Sequence, residues 1–137
     1  MKLSLALSPS FSRELFSFRA TAPSNGRGEV EARWHGSQGA EARRRERWVH
    51  PFDEARLRSI LKVLEGLPAR CGPSVDDVGE REIGIEDSSA GLQVVRVRAR
   101  VNLRADEPAR AFDALWRELY EPIKLCLIQL QVPSEFL

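Results

Sequence analysis

Cysteine, histidine, lysine and long apolar runs are all scarce in this chain, and each scarcity narrows what the protein can be. The only two cysteines, Cys71 and Cys126, stand far apart, with no CxxC pair and no histidine at metal-ligand spacing. That excludes a disulfide framework and a zinc site, and both residues read as reduced thiols. Only His35 and His50 can exchange protons near neutral pH, so no acid–base constellation is visible. Gly26 and Gly28 fall in a turn between strands rather than between a strand and a helix, which excludes a phosphate-cradling loop. Asp76 and Asp77 with Glu80 and Glu82 lack the alternating ligands and turn glycine of a calcium loop. No cofactor is called for.

The longest apolar stretch near the C-terminal end, Leu125-Cys126-Leu127-Ile128, is cut by Gln129 and Gln131. A membrane span needs ~20 apolar residues. The opening stretch carries one charge and is too short for a signal-peptide core, so the expected location is the cytoplasm. Net charge is also missing: 21 Lys and Arg stand against 20 Asp and Glu, for a formal +1. No global field holds such a chain on nucleic acid or an anionic membrane, and any basic surface must be local. Lysine is confined to Lys2, Lys62 and Lys124, so the basic side is nearly all arginine, the residue of planar, bidentate contacts.

What is present is an ordinary globular composition, 42% hydrophobic and 30% charged over 137 residues. That size and balance predict one α+β domain spanning residues 1–137. Leu3, Leu5 and Leu7 alternate with Ser4 and Ala6 as a first strand. Phe16, Phe18, Ala20 and Ala22 alternate with polar residues in a second, between Glu14 and Ala22. Asn25-Gly26 marks a hairpin into a third strand, Glu29 to His35, with Val30, Ala32 and Trp34 on one face. A plain two-residue turn would pair Phe18 with Arg33 across the faces, so the loop needs an extra residue, and Gly28 is the candidate bulge. A fourth strand, Glu41 to Val49, carries charge on both faces and reads as an edge.

From Asp53 to Gly66, Leu57, Ile60, Leu61 and Leu64 recur at helical steps behind an Asp53 cap. Ala69 to Gly79 shows no period and reads as a loop. Ile83 and Ile85 mark a fifth strand, and Asp87 to Gly91 a turn. A long strand from Leu92 to Arg104 sets Val95, Val97, Ala99, Val101 and Leu103 against Arg96, Arg98, Arg100, Asn102 and Arg104. Asp106 caps a last helix with the stripe Phe112, Leu115, Trp116, Leu119, Ile123, Cys126, Leu127 and Leu130, in which Pro122 predicts a kink or a division. The expectation is a mostly antiparallel sheet of about six strands in ββββαββα order, with both helices on one face.

Register fixes which charges meet on the open face. A loop over Gly36 to Ala40 sets Glu31 opposite Arg45, Glu29 opposite Arg47 and Arg33 opposite Arg43. A loop over Asp87 to Gly91 sets Glu82 opposite Arg96 and Glu80 opposite Arg98, leaving Arg100 and Arg104 past the glutamates. One reading is a solvent face knitted by cross-strand ion pairs. The sharper reading is that the surplus guanidinium groups, on the face of Arg43, Arg45, Arg96, Arg98 and Arg100, meet an acidic partner. Nucleic acid is disfavoured, because Trp34 and Trp48 fall on the core side where no base can stack on them.

A hairpin leading into Trp48-Val49-His50-Pro51, a Leu-rich helix, a hairpin turning on Gly91 into Val95-x-Val97-x-Ala99-x-Val101, and a closing helix with Phe112, Leu115 and Leu119 together resemble small bacterial immunity proteins of polymorphic toxin systems. The resemblance implies a non-catalytic cytoplasmic protein that binds a toxin domain. The expected function is therefore a non-enzymatic protein-binding module. The competing class is a small enzyme or ligand-binding domain with a pocket between sheet and helices near Cys71 and His50. A third outcome is a homodimer through an exposed edge strand.

Overall fold

The computed structural model describes residues 1–8, 16–35, 39–72, 79–100 and 106–137. Strands β1 (Lys2–Ser8), β2 (Phe16–Pro23), β3 (Gly28–His35) and β4 (Glu41–Trp48) precede helix α1 (Glu54–Glu65). A short β5 (Arg70–Cys71), then β6 (Glu80–Asp87), β7 (Gln93–Arg100) and helix α2 (Glu107–Gln129) follow. The strands form one seven-stranded sheet in the order β4-β3-β2-β1-β6-β7-β5. The α+β class and the antiparallel dominance expected from the sequence hold.

Two details of the expected layout change. The sheet has seven strands rather than six, and it is mixed, because β5 lies parallel to β7 with Arg70 beside Arg98 and Cys71 beside Ala99. This strand falls inside the segment read as a loop. Two residues display no period, and what makes them a strand is the distant Arg98 amide, which donates to the Ala69 carbonyl at 2.9 Å. The expected long strand from Leu92 starts at Gln93 and is described to Arg100, so Val101, Leu103 and Arg104 lie outside the described residues.

Odd- and even-position alternation sorts the side chains as expected. Leu3, Leu5, Phe16, Phe18, Ala20, Ala22, Val30, Ala32, Ile83, Ile85, Val97 and Ala99 are buried in one cluster with Leu57, Ile60 and Leu64 of α1 and Phe112, Leu119, Ile123 and Leu127 of α2. Both helices therefore cover the same face. Their Asp53 and Asp106 caps form as read, each carboxylate accepting an amide hydrogen bond, from Arg56 at 2.8 Å and from Ala109 at 2.9 Å. Pro122 does not divide α2, which is one continuous helix. The missing amide removes one hydrogen bond, while Leu119, Ile123 and Cys126 are buried on both sides of it and hold the rod to the sheet.

The β2–β3 loop has the extra residue that the pattern required: Phe18 pairs with Ala32 and Ala20 with Val30. Gly28 serves another purpose than the bulge expected of it. A Cβ there would stand 2.1 Å from the Thr21 carbonyl oxygen and 2.4 Å from the Trp48 indole nitrogen. The missing side chain is what lets the Trp48 indole N–H donate to the Thr21 carbonyl at 3.1 Å.

Candidate functional site

With both helices on one side, the opposite side of the sheet carries no helix among the described residues and is open there. Its middle strands carry short side chains: Ser4, Ala6 and Ser8 on β1, and Ser17 and Thr21 on β2. Gly84 extends this floor onto β6, where a Cβ would come within 2.8 Å of the Ser4 hydroxyl oxygen. Longer charged side chains rise on the flanking strands. The result is a trough, which contains a groove of about 460 Å³ lined by Ser8, Ser17, Arg19, Thr21, Arg33 and Arg45, among others.

The wall on β3 and β4 has the register read from the sequence, with Glu31 opposite Arg45, Glu29 opposite Arg47 and Arg33 opposite Arg43. The ion pairs, however, run diagonally. Arg43 pairs with Glu31 at 3.0 Å, Arg33 with Glu41 at 2.6 Å, and Arg45 with Glu29. Diagonal neighbours on adjacent strands lie within reach of a side chain as long as arginine. Arg33 and Arg43 thus avoid each other, each by reaching a glutamate two residues along. The carboxyl groups of Glu29 and Glu41 are held below the ordinary glutamate range by their hydrogen bonds from Arg45 and Arg33.

The wall on β6 and β7 departs from the expected register. Glu82 faces Arg98 and Glu80 faces Arg100, because the turn begins one residue later than expected. The cause is local: the Asp87 carboxylate accepts hydrogen bonds from the Ser89 amide at 3.0 Å and the Ser89 hydroxyl at 2.8 Å. Asp87 is thereby kept in the strand. A two-residue slip in pairing leaves each side chain on its own face, so the predicted sidedness survives. Carboxylates are shared here. Glu82 holds Arg98 at 2.7 Å and lies 3.9 Å from Arg96, and Glu80 holds Arg70 at 3.0 Å and lies 3.7 Å from Arg98. Arg100 lies opposite Glu80 rather than beyond the glutamates.

All five expected binding residues are on the open face, but on two separate walls. Arg43 and Arg45 stand on β4 at one edge, and Arg96, Arg98 and Arg100 on β7 beyond the floor. The residue that sequence reading passed over is Arg19. It sits on the floor strand β2, opposite Ala6 on one side and Glu31 on the other. It is exposed and makes no hydrogen bond or ion pair among the described residues. Its position in the alternation of β2 was available from sequence. What was not visible is that its neighbours are short while the flanking arginines are already tied to glutamates.

Cys71 and His50, the alternative site, are not brought together. His50 Nε2 lies 2.6 Å from the Pro23 carbonyl oxygen and 2.9 Å from that of Gly26, at the β2–β3 turn, and Nδ1 accepts the Phe52 amide at 3.2 Å. The imidazole acts as a tie between that turn and the entry to α1. Cys71 lies on β5, four strand positions from β2. At about 4.8 Å per strand, that is a lateral separation of roughly 19 Å. The Cys71 thiol is 1% exposed, and burial, aided by Asp106, pushes its pKa up, away from the thiolate that nucleophilic attack requires. Trp34 and Trp48 are buried on the helix side as expected, with no face open to a base.

The helix-covered face buries a cluster of apolar side chains among the described residues. The crevice among Leu3, Leu5, Ala20, Trp48, Phe52 and Ile123 is too tight to admit a water molecule. No group of three or more metal-ligating side chains occurs among the described residues, and no helix there is long and apolar enough to cross a membrane.

No family model matches the chain. Among curated proteins it is similar to oxysterol-binding protein-related protein 9 of Homo sapiens, 28% identical over 107 residues that cover 72% of this chain and 14% of that protein. The proteins of the same name from Mus musculus and Xenopus tropicalis are 28% and 27% identical over the same length and coverage. The chain thus spans about one seventh of the length of the curated relatives it matches, and the likeness is one of a segment.

Proposed function

We propose that this protein is a non-enzymatic binding module that docks an acidic protein surface on the open face of its sheet. One observation carries this reading. Among the described residues the helix-covered face buries the apolar core, whereas the uncovered face is a trough between two walls rich in arginine. A face of fixed, exposed guanidinium groups suits electrostatic docking, in which charge sets orientation and association rate more than affinity. The partner of the immunity-type reading is a toxin domain met in the cytoplasm.

The segment likeness offers a second reading, since the relatives' name refers to oxysterol binding. A sterol needs an apolar chamber of roughly 300 Å³ or more. The cluster of buried side chains and the tight crevice among Leu3, Leu5, Trp48 and Phe52 favour the docking module over such a chamber.

The test is capture of partners by the intact protein, identified by mass spectrometry and repeated with purified partner. Arg43→Glu combined with Arg98→Glu should reduce capture at least tenfold, and association should slow as salt rises. Capture unchanged by both reversals, with the fold intact by circular dichroism, removes the open face as the docking site.

A further inference from the structure

Resting on the open-face reading, we infer that Arg19 is the anchor of the docking site, taking a carboxylate from an acidic side chain of the partner into the centre of the trough. The charges around the groove pair off one by one. Arg33 is held by Glu41, Arg43 by Glu31 and Arg45 by Glu29. Arg47, farther along the β4 wall, also makes no ion pair but does not line the groove. Among the groove's lining residues Arg19 is the one cation without an ion pair, so the positive excess of the lining is that single guanidinium.

Its surroundings fit one carboxylate. The neighbours on its own strand and face are Ser17 and Thr21, whose hydroxyls can donate to an oxygen that the guanidinium fork leaves free. Ala6 directly opposite leaves space above the floor, and Ser8 stands at the groove's end. Arg33 and Arg45 form the rim, so an incoming anion meets positive potential at the entrance and an unpaired bidentate donor at the bottom. The glutamates of the lining do not offset this, because each already holds an arginine of the wall. A central donor ringed by near-neutral pairs is the arrangement in which one residue carries most of an interface's energy.

A peptide of alternating glycine and glutamate, ten residues long, is a suitable probe (the length is about that needed to cross the sheet at 3.3 Å per residue). It is titrated into the 15N-labelled intact protein at low salt, with free glutamate and inorganic phosphate in parallel. Saturable shifts should centre on the Arg19 side-chain N–H and on the Ser17 and Thr21 amides. Arg19→Ala should weaken peptide binding at least tenfold, while Arg117→Ala, on an exposed helix position, should change it less than twofold. Equal losses from the two variants, shifts centred elsewhere, or no saturable shift overturn the inference. Saturation by free glutamate or phosphate at the peptide's concentration overturns the protein-borne source and leaves a small-anion site. Partner capture lost with Arg43→Glu and Arg98→Glu but untouched by Arg19→Ala overturns this inference alone. Capture untouched by all three retires the docking reading with it.

Discussion

The two faces of this sheet solve opposite problems with the same alternation of residues. On the covered face each side chain meets others across a dry interface, and stability grows with the apolar area removed from water. On the open face each charge meets an opposite charge in high dielectric, where an exposed pair contributes at most about 1 kcal/mol. The covered face is thus the source of stability, and the open face is free to be specific. Changes to one face should be felt in folding and changes to the other in binding.

The largest expected effect tests that division directly. Leu119, wholly buried where α2 meets the sheet, should cost ~2–5 kcal/mol on replacement by Ala, through lost transfer energy and the cavity left behind. Arg98→Ala on the open face should cost ~0.5 kcal/mol or less, since its partners remain solvated. Chemical denaturation measures both, and comparable losses would mean that the open face is part of the folding core.

A smaller effect is expected where the two regions are stitched together. Gly28→Ala places a methyl group against the Thr21 carbonyl and the Trp48 indole, and neither can yield without breaking their hydrogen bond. Overpacking of this kind costs ~1–3 kcal/mol. Trp48 fluorescence should shift as the ring is displaced. A stable variant with unchanged fluorescence would show that the indole is not held where it stands.

Legibility in the sequence followed the range of the interactions involved. The faces of β2, β3, β6 and β7 could be read because sidedness depends only on period, and the caps Asp53 and Asp106 because capping is local. The β3–β4 register was recovered because the glycine-bearing break in the pattern falls between His35 and Glu41, which pair. The β6–β7 register was not, because the Asp87 side chain, rather than a glycine, sets where that turn begins. β5 was illegible, since two residues have no period and their pairing depends on β7, far along the chain. The site was legible as a face but not as a trough. Strand order puts the short residues of β1 and β2 between the charged walls, and the diagonal pairing that singles out Arg19 follows from side-chain reach rather than from opposite position.

The smallest expected effect sharpens the comparison at the open face itself. Glu29 and Glu41 have carboxyl groups lowered in the folded protein by hydrogen bonds from Arg45 and Arg33. A depressed folded-state value means that the charged form is favoured by folding. The contribution is therefore complete above the ordinary glutamate range, near pH ~4.3, and is lost as pH falls through the lowered folded-state values. Both side chains remain partly open to solvent, so water and salt screen the effect. Compared with the Glu29→Gln and Glu41→Gln double variant, the wild-type protein should keep a small, constant advantage in denaturation midpoint from about pH 8 down to about pH 5. The advantage should shrink below that range, and it should shrink at neutral pH in ~1 M salt. The covered face has no such dependence, so Leu119→Ala should show the same deficit across both series. If the glutamine variant instead trails the wild type equally in acid and in high salt, the diagonal pairs are not what holds this wall. The uncompensated charge of the groove would then no longer be Arg19 alone.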